Sequence, residues 1–428
     1  MLPRTRFASF LLAIFPVLSL GAQEAADSAA VDSLEAEIAR ELGADSAAVG
    51  PPPARDGLPP AAPGVEGGTG GALQGAPQSL NPDLSVIGDF LADLSPEEST
   101  LEEGDRFAVR EVELGLQAVV DPYFRGDFFV ALKGDEIELE EGYLSTLALP
   151  HGLQVKAGRF HLPYGKVNLT HRPEIRTVEY PRVIQEFFGD DGLASTGLWV
   201  SKLLSPLGFY QEIIAVVGND LGEGIGGAES GGPAEAGGAE VGGAQAGGDA
   251  EQAGGKDLLE DLGDRLFLGH LRNYADLTEA ANVEVGVSAA TGTRDPVPSD
   301  SERLTFYGLD LTYRWRPAAM ALYRSLVLQA EATWRDGEAA TEFGAFAFGQ
   351  WQVGRRWYVG ARYDYVEQPE TEGAERENGI SGYLTIFPSE FSLFRLGYEH
   401  RALSAGDDID RVLLQASVTL GPHRPHPF

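Results

Sequence analysis

The chain contains no cysteine, which excludes disulfide bonds, thiol nucleophiles and cysteine-ligated metal sites. Lysine is also scarce, since it occurs only at positions 133, 156, 166, 202 and 256. Beyond the N-terminus no stretch approaches 18 consecutive apolar residues, which excludes an ordinary transmembrane helix there. A chain of this length without disulfides must be held together by its own hydrogen bonds or core.

Positively charged residues are far fewer than negatively charged ones in this chain. There are 65 Asp and Glu residues against 32 Lys and Arg, and the formal net charge is −33. Such a surface repels phosphate groups, which argues against nucleic acid as a partner. A well-solvated or halophilic surface explains the same value, so the charge alone assigns no function.

The N-terminus is typical of a secretory signal peptide. Arg4 and Arg6 precede an almost purely apolar stretch, Phe7–Leu20, which is followed by the small residues Gly21 and Ala22. The apolar stretch of about 14 residues is too short to cross a membrane as a helix. We therefore predict a signal peptide over residues 1–22, with a buried hydrophobic helix as the alternative.

Residues 23–80 are rich in Ala, Gly, Pro, Asp and Glu, which predicts a disordered linker. Within it, Val31, Leu34, Ile38 and Leu42 recur at helical spacing and predict a short helix over residues 30–42. This pattern covers fewer than two heptads, which is not enough to predict a coiled coil.

From Leu84 to Leu420 the chain repeats one unit about sixteen times: a segment of alternating apolar and polar residues, followed by a break. In residues 326–335, Leu328 and Ala330 alternate with Gln329 and Glu331. A closed antiparallel sheet pairs every backbone group inside a membrane and has this sequence pattern. We predict an all-β fold, a transmembrane antiparallel β-barrel of about 16 strands over residues 81–428.

The breaks alternate between short turns and longer polar loops. With both termini in the periplasm, the odd-numbered connections face outward, and these are predicted to be the long ones: 95–106, 165–194, 219–263, 293–302, 367–379 and 402–410. The even-numbered connections are predicted to be tight turns containing Pro or Gly. A soluble propeller or sandwich has no reason to keep this parity. Aromatic residues near strand ends predict interfacial girdles: Tyr313, Trp315, Trp351, Trp357, Phe391 and Tyr398.

Several strings resemble one family of channels. GRFHLPYGKVN (158–168) resembles the GxFxxPFG signature of the phosphate-selective porin O/P-like outer-membrane β-barrels. RRWYVGARYDYVEQP (355–369), FPSEFSLFRLGYEHR (387–401) and LGPHRPHPF (420–428) are also similar to that group. The resemblance covers residues 81–428 and implies a barrel channel. Some members of the group are described as zinc-regulated or TonB-dependent outer-membrane receptors.

Two features depart from what this resemblance implies. Phosphate selectivity implies a path lined by lysine and arginine, whereas this chain is strongly acidic and has few lysines. TonB-dependent receptors carry a folded plug before the barrel, whereas the linker here is short and rich in Pro and Gly.

The connection 165–194 is long, yet its apolar and aromatic residues, such as Tyr180 and Phe187, do not suit a solvated loop tip. We predict that it folds into the lumen as a constriction, because the charges at the narrowest point control what a pore passes. Its predicted pore-lining residues are Arg172, Arg176, Glu179, Arg182 and Glu186. The alternative is a loop packed over the rim.

Further pore-lining residues are predicted on the wall: Glu111, Glu113, Asp310, Arg314, Glu331, Arg362 and Arg395. The second to fourth strands are acidic and also hold Asp127, Glu138, Glu140 and Glu141. The strands across the barrel are predicted to be basic through Arg303, Arg314, Arg324 and Arg335, which would create a transverse field. The alternative is that arginines near the turns anchor at lipid headgroups.

Other motifs carry little chemistry. His423 and His426 are a weak candidate metal pair, because two histidines alone do not complete a site. The glycine-rich string at 222–227 lacks the strand–helix context of a phosphate-binding loop. There is no GxSxG or HExxH motif, so we predict neither an enzyme nor a cofactor.

Together these patterns predict an outer-membrane porin of a Gram-negative-type bacterium, a water-filled channel for passive diffusion of small hydrophilic solutes or ions. The alternative is a ligand-specific receptor or a metal-linked uptake channel. Expected partners are outer-membrane lipid and the solutes themselves, with no nucleic acid. A homotrimer is compatible with a barrel of this size, although nothing in the sequence fixes it.

Overall fold

The computed structural model describes residues 82–96, 99–101, 104–134, 136–204, 208–221, 265–293, 303–337, 340–369 and 374–421. The chain divides into two units, residues 1–73 and 74–428, and every described residue belongs to the second. The predicted signal peptide (1–22), the linker (23–80) with its helix, most of the loop 219–263, and His423 and His426 lie outside the described residues.

Sixteen antiparallel strands form one closed barrel, in which each strand pairs with its neighbours in sequence and β1 closes against β16. This confirms the predicted fold. The strands are β1 (Asp83–Asp93), β2 (Phe107–Val119), β3 (Phe124–Lys133), β4 (Glu136–Thr146), β5 (Leu153–His161), β6 (Ala194–Leu204), β7 (Tyr210–Gly218), β8 (Leu266–Thr278), β9 (Ala281–Thr293), β10 (Arg303–Trp315), β11 (Leu326–Asp336), β12 (Thr341–Gln352), β13 (Trp357–Glu367), β14 (Arg376–Ser389), β15 (Ser392–Leu403) and β16 (Ile409–Leu420).

Among the residues that the structure describes, helical structure is confined to the connections. One short α-helix, α1, spans Arg182–Phe188, and four 3-10 turns span Pro150–Gly152, Val167–Leu169, Arg172–Glu174 and Ala318–Met320. None of the helices in the described ranges is long and apolar enough to cross a membrane.

Side chains alternate across the wall as the sequence predicts. On β10, Tyr307, Leu309 and Leu311 are exposed on the outer face, whereas Asp310 and Thr312 are buried inside. An apolar outer face is favourable only where lipid tails replace water, and it is the exterior of an outer-membrane barrel. The barrel therefore spans the outer membrane.

Aromatic residues mark both ends of this apolar exterior. Trp315 and Trp351 stack with ring centroids 5.6 Å apart near the even-numbered connections. Near the odd-numbered connections, Phe343 contacts both Trp334 and Tyr365, with centroid distances of 5.2 and 6.0 Å. The amphipathic Trp and Tyr rings at these two levels suit the two headgroup layers of a bilayer.

The predicted loop parity needs three corrections. The connection between β10 and β11 (316–325) is even-numbered but long, and it contains a 3-10 turn and Arg324, which the sequence interpretation placed on a strand. The turns at 279–280 and 390–391 contain neither Pro nor Gly, because antiparallel strands can be joined by two residues of other types. The connections 134–135 and 337–340 are odd-numbered but short.

One strand is much longer than predicted. β14 begins at Arg376, whereas the alternating pattern begins only near Ile380. Arg376, Glu377 and Asn378 are polar, so alternation between apolar and polar residues is lost where the strand leaves the apolar belt. Hydrophobic periodicity detects only the part of a barrel strand that faces lipid tails.

Candidate functional site: the barrel lumen

The residues between β5 and β6, which we call the lumen segment (162–193), lie inside the barrel. The backbone amides of Lys166 and Val167 donate to Oε1 of Glu331 on β11, at 3.0 and 2.8 Å. Arg110 on β2 donates to the carbonyl of Val178 at 2.7 Å. Because these strands lie far apart around the barrel, a segment that contacts both must cross the lumen.

Apolar packing fixes the lumen segment against one side of the wall. Val183, Phe187 and Phe188 of α1 are fully buried, and Phe188 packs edge-to-face on Phe306 of β10 with centroids 5.2 Å apart. The lumen therefore has an apolar core on this side. The segment's own apolar side chains form this core together with wall residues such as Phe306.

Two glycines of the wall leave the space that the segment fills. A Cβ added at Gly344 on β12 would lie 3.0 Å from Cβ of Val183 and closer still to its Cγ2. A Cβ added at Gly397 on β15 would lie 2.9 Å from Cγ2 of Val178. Contacts between carbon atoms do not normally fall this low, so any larger residue would force the segment away from the wall.

Two β-bulges place extra charged side chains in the lumen. In the β1–β2 pairing, Asp89 faces Glu111 but Phe90 faces Val109, so Arg110 is the additional residue. In the β3–β4 pairing, Phe129 faces Glu141 but Val130 faces Leu139, so Glu140 is the additional residue. A bulge lets two consecutive residues point to the same face. Consequently Glu140 and Glu141 are both buried on the inner face.

His171 of the lumen segment lies among carboxylates of the acidic wall. Its Nδ1 is 2.8 Å from Oε2 of Glu113 and 3.2 Å from Oε2 of Glu140, and its Nε2 is 3.2 Å from Oε2 of Glu141. Burial alone would lower the pKa of His171, but the charge of Glu113 and the hydrogen bonds of the three carboxylates raise it well above its usual value. Without another cation, the imidazole therefore carries a proton.

Arginines hold the other end of the segment. On β13, Arg362 donates to Asp364 at 2.6 Å and to the carbonyl of Glu179 at 2.7 Å. The carboxylate of Glu179 lies 3.3 Å from Arg110. Burial would raise the pKa of Glu179, but Arg110 and the other surrounding arginines lower it, so this carboxylate is ionised.

A cavity of about 470 Å³ lies between the lumen segment and the even-numbered end of the barrel. Its lining includes Arg176 from the segment and Arg314, Arg362 and Arg395 from the wall. Arg176 donates to Oε1 of Gln350 at 3.2 Å, and Arg395 donates to Oε1 of Gln415 at 2.7 Å. Within the described part of the chain, neither Arg176 nor Arg395 forms a salt bridge with a carboxylate, so both leave positive charge at this cavity.

All twelve predicted pore-lining residues lie on the inner face of the wall or on the lumen segment, but they do not form one ring. Arg182 pairs with Glu186 on α1 and, at 2.8 Å, with Glu377 on β14, so it is buried in the wall contact. Arg172 pairs with Asp191 at 3.3 Å, on the acidic side. Asp310 lies opposite Glu331 across the β10–β11 pairing.

The predicted contrast between an acidic and a basic wall is weaker than expected. Arg314 lies 3.5 Å from Glu284, and Arg335 pairs with Glu342, so these two arginines across from the acidic strands each have a carboxylate beside them. Arg303 is exposed at the start of β10. Local pairing cancels charge at short range, which reduces any field across the lumen.

Several residues of this site were not predicted as pore-lining residues. His171, Arg110, Asp364, Glu377 and Glu399 all contact the lumen segment or its partners. Asp364 and Glu399 lie at inward-facing positions of the alternating pattern, which is the signal that could have identified them. Arg110 has the same parity as the outward-facing Val112, and only the bulge turns it inward.

No protein-family model matches the chain. An uncharacterized protein of Aquifex aeolicus (strain VF5) is 28% identical over 369 residues, covering 78% of this chain and 72% of that protein. Among solved structures, the chain is similar to OmpT of Vibrio cholerae in its trimer form, with a TM-score of 0.48 and 12% identity, covering 79% of this chain and 100% of that one. It is also similar to the outer-membrane channel DcaP of Acinetobacter baumannii, with a TM-score of 0.47, 11% identity and coverage of 79% and 96%. Against OprB of Pseudomonas putida the TM-score is 0.49 at 10% identity, with coverage of 79% and 94%.

Proposed function

We propose that the protein is a passive outer-membrane channel for small hydrophilic solutes or ions, working without energy input, a cofactor or catalysis. The observation that supports this best is the lumen segment, which is docked inside a closed barrel and leaves a charged cavity beside it. A loop that narrows a barrel while leaving polar space is suited to sieving solutes by size and charge.

The proposed path passes Arg176 and Arg395, whose guanidinium groups form no salt bridge with any carboxylate that the structure describes. The strongly acidic composition raises the local cation concentration near the barrel and favours a mild cation preference overall. The positive charges of Arg176 and Arg395 oppose this cation preference at the narrow part of the path. Arg176→Glu reverses one of these two charges and is therefore expected to shift selectivity further towards cations.

Reconstitution of the full-length protein into planar bilayers tests the proposal. Passive diffusion predicts steady ohmic steps, and a KCl gradient gives the ion preference through the reversal potential. Arg176→Glu should change the reversal potential, whereas Arg316→Glu, in the exposed connection between β10 and β11, should leave it unchanged. Electrically silent protein with correct barrel folding would overturn the proposal and favour a barrel without conductance.

The second candidate is a ligand-specific receptor or a metal-linked uptake channel, which the histidine among lumen carboxylates favours. In that case a single solute or metal ion should block the conductance steps at low concentration. The resemblance to phosphate-selective porins and the homotrimer stay predictions. Conductance in phosphate buffers tests phosphate selectivity, and the mass of the detergent-solubilised assembly tests the homotrimer.

A further inference from the structure

The acidic wall and the lumen segment bring together a set of side chains with metal-ligand chemistry. Ligand atoms of Glu113, Glu140 and His171 all lie within 4.8 Å of one another, and all three residues are buried. We propose that these three residues bind a divalent transition-metal ion such as Zn²⁺, which links the lumen segment to β2 and β4. This site is independent of whether the barrel conducts.

The distances suit a small ion. Two ligands bound at ~2.1 Å in a tetrahedral zinc site lie roughly 3.4 Å apart. Nδ1 of His171 is 2.8 Å from the Glu113 carboxylate and 3.2 Å from the Glu140 carboxylate, so an ion needs only small shifts of flexible side chains. One imidazole with two carboxylates is a donor set that favours Zn²⁺ and similar ions over Mg²⁺ and Ca²⁺, which prefer oxygen alone.

The surroundings of His171 match those of a metal-bound histidine. Its second nitrogen, Nε2, lies 3.2 Å from the carboxylate of Glu141, which would accept the Nε2–H proton and leave Nδ1 free to bind the ion. Lys133 lies 3.4 Å from the other oxygen of Glu140 and would hold that ligand in place. Ligand residues in metal sites usually have such outer partners.

Glu111 provides the independent observation. It is 1% exposed, and neither of its carboxylate oxygens has a hydrogen-bond partner among the described residues. It lies two residues before Glu113 on the same inner face of β2, and Glu140, Lys133 and Glu113 are the charges that act on it most strongly. Oε1 of Glu113 also lacks a hydrogen-bond partner within the part of the chain that the structure describes. Buried carboxylates without partners are costly, and a divalent ion would compensate them.

Calorimetric titration of Zn²⁺ into the detergent-solubilised full-length barrel tests this site. We expect one equivalent per barrel, at least tenfold weaker affinity in Glu113→Gln and His171→Gln, and much weaker binding of Mg²⁺ or Ca²⁺. Glu111→Gln, which removes no hydrogen bond, should also weaken Zn²⁺ binding. The variant barrel should stay folded, as shown by an electrophoretic mobility that still changes on heating. His400→Gln is the matched control, because His400 pairs with Asp410 and is partly exposed.

A second readout uses Co²⁺ in place of Zn²⁺, since its visible absorption changes with the number and type of its ligands. The absorption should appear in the native chain and in His423→Ala/His426→Ala, and disappear in His171→Gln. The proposal is overturned if the native chain binds no Zn²⁺ at millimolar concentration. It is also overturned if the His423→Ala/His426→Ala variant loses the binding, or if Glu113→Gln and His171→Gln bind as the native chain does.

Discussion

Replacing Gly344 with valine should undock the lumen segment from the wall. The new Cβ would lie 3.0 Å from Cβ of Val183 and 3.4 Å from Cε2 of Phe187, both fully buried residues. Overpacking of a buried contact costs about 1–3 kcal/mol. Because each 1.4 kcal/mol changes an equilibrium about tenfold, the undocked population should rise by roughly 5- to 150-fold.

The absence of native cysteine makes this population measurable. Ile184→Cys places a single thiol on the buried face of α1, where Ile184 is 1% exposed. The rate at which a charged maleimide labels this thiol should follow the undocked population. Gly344→Val combined with Ile184→Cys should therefore accelerate labelling by roughly 5- to 150-fold.

Gly382→Val is the matched control on β14, because a Cβ added at Gly382 meets no atom within 4 Å. Labelling in this variant should equal that of the Ile184→Cys parent. If the two valine variants label at the same rate while both barrels remain folded, then close contact at Gly344 does not hold the segment, and the reasoning is refuted.

Two further perturbations test the polar contacts of the segment. Arg182→Met removes the 2.8 Å ion pair of the buried carboxylate of Glu377, which keeps Arg401 at 3.6 Å, and should destabilise the folded barrel by about 1–3 kcal/mol in urea unfolding, whereas Arg316→Met should change it by less than about 0.5 kcal/mol. Equal effects of the two arginine variants would contradict the ion-pair argument. Glu331→Gln weakens the acceptor of two backbone amides and should cost about 1–3 kcal/mol of docking, measured as faster labelling of the Ile184→Cys thiol. An unchanged rate would show that these amides do not anchor the segment.

The sequence predicted the strands well because each strand meets lipid on one face and the lumen on the other. The alternating sequence patterns of Phe124–Lys133 and Arg303–Trp315 predict two strands, and the observed β3 and β10 have the same bounds. The alternation of apolar and polar residues fails where a strand extends beyond the lipid, as at Arg376 at the start of β14. Bulges also break it, and Arg110 could not be assigned to the lumen from parity alone.

The site was less predictable because its contacts join distant parts of the chain. The apolar residues of 165–194 did indicate that this connection is no ordinary surface loop. Nothing local, however, pairs His171 with Glu113 or Arg182 with Glu377, since the sequence separations are 58 and 195 residues. Only barrel closure determines which strands face each other, and that information is spread over all sixteen strands.

The chain order of the lumen segment also constrains biogenesis. The segment is made before β12–β15, although Gly344, Asp364, Glu377 and Gly397 on those strands complete the surface that receives it. During synthesis, export and insertion, Phe187 and its apolar neighbours therefore have no burial site. Contacts this far apart in sequence form late. Pairing of β1 with β16 should therefore precede docking of the lumen segment inside the barrel. A precursor halted before β1 pairs with β16 should depend on holdase chaperones to stay soluble.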